Sequence, residues 1–122
     1  MKHLLLLALT LVLASAPSQA KHELFTQVLS DHVKDGQVDY PAIKKDSRFA
    51  KYLKQISSVN PSQLKGDGLK SYWINAYNAF TIKLINDNWP VKSIMDIKKG
   101  KAWDKVHFVV NGQKYTLNQI EH

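Results

Sequence analysis

Cysteine is absent from the 122 residues. That excludes disulfides, thiolate metal sites and a cysteine nucleophile within the chain. Arginine occurs once, as Arg48, so nearly all positive charge rests on lysine. Acidic residues are few: ten Asp and Glu against seventeen Lys and Arg, a formal charge of +7. Such a balance fits nucleic acid, an anionic membrane surface or acidic polymers. With one planar guanidinium available for phosphate, a solvated lysine-rich surface is the plainer account. No internal repeat and no low-complexity segment is visible, and the length fits one small domain. The histidines form no His-x-x-x-His or Glu-containing zinc motif, so no metal site is expected. Asp31, Asp35 and Asp39 lack the alternating spacing of a calcium loop. Gly66-Asp67-Gly68 has no phosphate-loop context, and no cofactor is expected.

The first twenty residues read as a cleavable signal peptide. Lys2 and His3 form a short basic n-region, Leu4 to Ala14 an apolar run, and Ser18-Gln19-Ala20 a small-x-small cleavage site. The run is short for a transmembrane helix, and no cysteine follows it to carry a lipid anchor. Cleavage after Ala20 would send residues 21–122 to the periplasm or the medium with no stable membrane span. Such a destination argues against nucleic acid despite the charge. It leaves an envelope protein or an acidic polymer as the expected partner.

Along the remaining chain, apolar positions 24, 25, 28, 29 and 33 predict an amphipathic helix over 24–34, with Asp35-Gly36 as its glycine stop. Pro41 opens a helical turn. Asp46 or Ser47 caps a helix from about Arg48 to Ser58, whose inner face is Phe49, Tyr52, Leu53 and Ile56. Asn60-Pro61-Ser62-Gln63 has a capping-box pattern, and Gly66-Asp67-Gly68 reads as a reversal. Ser93-Ile94-Met95-Asp96 caps a short helix to about Lys98, ended by Gly100, with Lys98, Lys99 and Lys101 at its C-terminal pole. Val106, Phe108 and Val110 alternate with His107 and Val109, and Asn111-Gly112 then signals a hairpin. Thr116-Leu117-Asn118-Gln119 caps a last helix.

The longest apolar stretch is Leu69 to Asn86. Leu69, Tyr72, Trp73, Ala76, Phe80 and Leu84 follow helical spacing on one face, and Ile74, Tyr77, Thr81 and Ile85 on another. A helix apolar on most sides belongs inside a domain. Trp89-Pro90 closes it. The expected fold is therefore α+β and mostly helical, with a central buried helix over 69–87 and a two-stranded hairpin near 106–115. An isolated hairpin is rarely stable, so this one needs a helix face or further strands.

Asn75 and Asn78, three apart, share one face of that helix, with Ser71 and Asn86 near it. They form either a polar strip facing a cleft or a buried network holding neighbouring backbone. Tyr72, Trp73 and Tyr77 could stack on a sugar or aromatic ligand, although helical spacing more often makes such residues core. Asn75, Asn78, Tyr72 and Trp73 are the candidate binding residues. Glu121-His122 is the weak catalytic candidate, a carboxylate and an imidazole able to serve acid–base chemistry. Adjacent helical residues face different ways, so the two would serve different partners.

The run Tyr72-Trp73-Ile74-Asn75-Ala76-Tyr77-Asn78-Ala79-Phe80 resembles the hallmark of the domain-of-unknown-function family 547. Trp89-Pro90-Val91-Lys92-Ser93-Ile94 resembles the linker that follows it in that family. Trp103-Asp104, Val106-His107-Phe108 and Asn111-Gly112 resemble its hairpin. Tyr115-Thr116-Leu117-Asn118-Gln119-Ile120-Glu121-His122 resembles its Thr-Leu-x-x-Ile-Glu-His helix start, and Val38-Asp39-Tyr40 an early motif. The resemblance spans nearly all of 24–122. It implies a downstream His-Phe-Ala-Leu segment followed by cysteines and proline, which this sequence does not contain, so a domain truncated at its C-terminus is expected. It implies no reaction, because the family's activity is not established.

Three functions compete on these grounds: an exported binding domain, the scaffold half of a thiol or acid–base hydrolase or transferase, and an inactive gene fragment. The first rests on the leader and the lysine-rich surface. The second rests on the Glu-His pair and the family's downstream His and Cys, an analogy that a site must still support.

Overall fold

The computed structural model describes residues 16–121, with side chains described from His22 to Ile120. Most of the leader, residues 1–15, lies outside the described residues, as does His122. Helix α1 (Ala16–His32) leads into a small hairpin of β1 (Val33–Lys34) and β2 (Gln37–Val38). Helices α2 (Tyr40–Lys45) and α3 (Ser47–Ser57) follow, then a 3-10 turn at Pro61–Gln63 and the long helix α4 (Gly66–Asp87). The chain closes with a kinked 3-10 segment at Ile94–Gly100, a short α5 (Ala102–Lys105), the hairpin β3 (His107–Val110) and β4 (Gln113–Thr116), and α6 (Leu117–Glu121). The architecture is the mostly helical α+β fold expected.

Side-chain caps set most helix starts. Asp39 accepts from Ala42 N at 3.1 Å, with Pro41 in the first turn. Asp46 Oδ1 accepts from Arg48 N at 3.0 Å, Asn60 from Ser62 N at 3.1 Å and Ser93 Oγ from Met95 N at 3.1 Å. Thr116 and Gln119 form a reciprocal capping box: Thr116 Oγ1 accepts from Gln119 N, and Gln119 Oε1 accepts from Thr116 N at 2.9 Å. Each of these satisfies a donor that the first helical turn leaves orphaned.

Helix α4 is central. Its Tyr72 hydroxyl donates to the Ile56 carbonyl of α3. Phe80 stacks on Phe108 of β3 with ring centroids 4.7 Å apart. Thus the hairpin rests on a helix face: Phe108 and Val110 point inward, His107 and Val109 outward. Asn111 N donates to Ser57 O at 2.8 Å, tying the hairpin turn to the end of α3. Helix α1 brings Phe25 onto Tyr52, stacked at 4.8 Å.

Three local expectations are corrected. Asp35-Gly36 does not act as a helix stop. Asp35 (φ 52°) and Gly36 (φ 74°) are both left-handed and form the turn of the β1–β2 hairpin, which pairs Val33 with Val38. Two consecutive positive φ angles match strand twist, so Asp-Gly serves hairpins as Asn-Gly does. Asn111 (φ 50°) and Gly112 (φ 77°) repeat that geometry. Gly66-Asp67-Gly68 reverses the chain at Gly66 alone. Gly66 turns the chain at φ 56°, and Asp67 and Gly68 already belong to α4, where Asp67 suits the positive pole of the helix. The segment after Ser93 is not a regular helix to Lys98. Buried Ile97 breaks it with extended backbone, and Lys98, Lys99 and Gly100 then turn left-handed in succession.

Candidate functional site

Ser71, Asn75, Asn78, Ile82 and Asn86 lie four, three, four and four residues apart, which aligns them along one stripe of α4. All five are buried. Asn75 and Asn78 are each 1 % exposed, so the strip is an internal feature of the described residues. Asn75 Nδ2 donates to Ser71 O at 2.8 Å, within its own helix. Asn78 is engaged as well. Asn86, 3 % exposed, differs. Both its amide atoms are buried with no hydrogen-bond partner among the described residues, while its backbone carbonyl accepts from Lys44 Nζ at 3.2 Å.

The aromatic candidates occupy other faces of the helix. Tyr72 is buried, and burial, followed by the nearby Tyr115, pushes its hydroxyl above the ordinary tyrosine range. Trp73 packs edge-on against Tyr72 at 5.0 Å and tilts over Tyr115 at 5.3 Å. Tyr77 accepts from Trp103 Nε1 at 3.0 Å. Trp73, Tyr77, Trp103 and Tyr115 are all half-buried, forming a packed seam between α4, α5 and β4.

Glu121 and His122 are not brought into view: Glu121 ends α6 by its backbone, its side chain lies outside the described residues, and so does His122 altogether. Helix α6 itself packs on α4. Among the described residues, no group of three or more His, Asp or Glu could hold a metal ion, and no helix is long and apolar enough to cross a membrane.

Two constellations escaped the sequence reading. His22 is buried, with Nδ1 2.6 Å from the Tyr52 hydroxyl. Extending the inner face of α1 back one turn, from Leu29 and Phe25 to His22, is the signal that finds it. The second joins three elements. His32 Nε2 lies 2.9 Å from Asp46 Oδ2, and Arg48 grips the same carboxylate through Nε and Nη2 while Nη2 also reaches Asp31 at 2.7 Å. Hydrogen bonding from Arg48, aided by His32 against the opposing effect of burial, holds the Asp46 carboxyl far below the usual range. An ionised Asp46 can only accept, so His32 Nε2 carries the proton it donates. Asp46 was legible as a cap, but nothing local announces that His32, fourteen residues earlier, meets it.

The fold and the strip define a small α+β domain organised around one largely buried helix. The family model for DUF547, a protein of unknown function, matches residues 61–122. The chain belongs to that family. The match takes in α4, its Asn75-Asn78 strip, the second hairpin and α6, and begins after the part containing Val38-Asp39-Tyr40. No curated protein and no solved structure matches.

Proposed function

We propose that the chain is an exported interaction module that meets an acidic partner, an envelope protein or an acidic polymer, through its lysine surface. The carrying observation is where the charge sits. Every lysine from Lys34 to Lys114 is exposed except Lys83, which is half-buried, and among the described residues only Lys83 joins an ion pair, with Asp87. Lysines outside an ion pair, apart from Lys44 with its bond to the Asn86 carbonyl, are available to an outside anion. Asn75, Asn78 and Tyr72 are buried and Trp73 is half-buried, so the exposed charge lies elsewhere than on these candidates. Export draws its support from the leader-like first twenty residues. The test is binding of the folded protein to immobilised envelope extract across a salt series. Saturable binding that weakens with salt is expected; a folded sample that shows no saturable binding contradicts the proposal.

A second reading, the scaffold of an acid–base or thiol enzyme, draws on α6. Its reciprocal cap fixes the start of the helix bearing Glu121, and the helix packs on α4. A family member with the downstream cysteines that keeps its activity after Cys→Ala replacement would remove the thiol form of this reading.

A further inference from the structure

The stretch from Trp89 to Lys105 combines three properties. It carries five lysines, at 92, 98, 99, 101 and 105, against two aspartates, Asp96 and Asp104. All five are exposed, and no ion pair among the described residues takes up any of them. Asp104 is itself occupied, accepting from Asn118 Nδ2 at 3.0 Å. The same stretch carries two of the large apolar side chains that the fold leaves open: Met95, 57 % exposed, and Trp89, 43 % exposed. Trp89 leans on Tyr40 with ring centroids 5.5 Å apart.

The backbone holds Met95 and the Lys98–Lys101 cluster together. Lys98 (φ 52°), Lys99 (φ 55°) and Gly100 (φ 84°) are consecutive left-handed residues, a conformation that lysine seldom adopts. The Met95 methyl lies 3.4 Å from where a Gly100 Cβ would stand, so the thioether lies across the turn between Lys99 and Lys101. Buried Ile94 and Ile97 anchor the segment from below.

We propose that this stretch docks the protein on an anionic phospholipid surface. The inference rests on the acidic-partner reading above and narrows it. Lysines alone would suit any polyanion. An exposed thioether beside them, and an exposed indole on the same stretch, need a second phase: the headgroup boundary, where apolar groups are buried next to phosphate charge. A soluble acidic chain provides the charge and nothing for Met95 or Trp89.

The test is co-sedimentation of the full chain with phosphatidylcholine vesicles, with and without phosphatidylglycerol. The comparison is with K98Q/K99Q/K101Q and W89S/M95S variants, whose fold is checked by circular dichroism. All three proteins share the apolar leader, so differences between them report the patch. The parent should prefer phosphatidylglycerol vesicles. At roughly fivefold per lysine, the triple variant should lose on the order of a hundredfold in affinity for them. W89S/M95S should bind several-fold more weakly with an unchanged salt dependence. A triple variant that binds as the parent does overturns the proposal. If W89S/M95S is unaffected and soluble polyglutamate competes fully, the partner is an acidic polymer: the lipid inference falls and the broader reading stands. No binding to either vesicles or polyglutamate removes both.

Discussion

Protonating Asp46 would take away the acceptor shared by His32, Arg48 and the first turn of α3. Its folded pKa lies below the unfolded value of about 3.9. The stability it contributes is therefore present in full above the unfolded value and is lost as pH falls through it toward the folded one. Melting temperature should drop below about pH 5, and Asp46→Asn should flatten that acid limb while costing about 1–3 kcal/mol at neutral pH. Thermal melts across the pH series check both. The left-handed Lys99 makes an opposite prediction. Left-handed backbone costs a side-chain-bearing residue about 1–2 kcal/mol, and glycine loses up to about 1 kcal/mol elsewhere in unfolded-state entropy. Lys99→Gly should be neutral to stabilising by about 1 kcal/mol in urea denaturation. Asn86 and Asn75 should separate in the same assay. Asn86→Leu removes a buried amide that has no partner among the described residues and should not destabilise, whereas Asn75→Leu breaks a made hydrogen bond and should cost about 1 kcal/mol.

Among the elements, the β3–β4 hairpin shows how local signals and packing divide the work. Asn111-Gly112 sets the turn, but the strands stay because Phe108 lies on Phe80. Phe108→Ala should cost about 3–5 kcal/mol, the usual loss for a buried aromatic ring, read from chemical denaturation. Elements with a local grammar are legible in the sequence: the Asp46, Asn60, Ser93 and Thr116 caps, the Asn111-Gly112 turn and α4, apolar on most sides. Asp35-Gly36 was misread because one dipeptide serves both helix ends and hairpins, and only the pairing of Val33 with Val38 decides. The Lys98–Gly100 turn is not legible locally, because it follows a buried, extended Ile97 whose packing is tertiary. The Asn75-Asn78 strip could be located from its spacing. Its burial could not, because spacing gives the face of a helix and not what covers it.

For the whole molecule, the division is between an interior that uses most of its polar and aromatic residues for packing and an exterior on which, among the described residues, exposed lysines outnumber exposed acidic side chains. Helix α4 lies within the family match, and its Tyr72, Ala76, Ala79 and Phe80 belong to the core of the described part. Recognition, on this account, belongs to the lysine surface and above all to the Trp89–Lys105 stretch. The most direct test is backbone amide shift mapping of the isotope-labelled chain during titration with short-chain phosphatidylglycerol. Perturbations should concentrate at Lys92, Met95, Lys98 to Lys101 and Lys105, with α4 unchanged. Perturbations concentrated instead at Trp73, Asn75 and Asn78 would contradict it and place recognition on the helix at the centre of the fold.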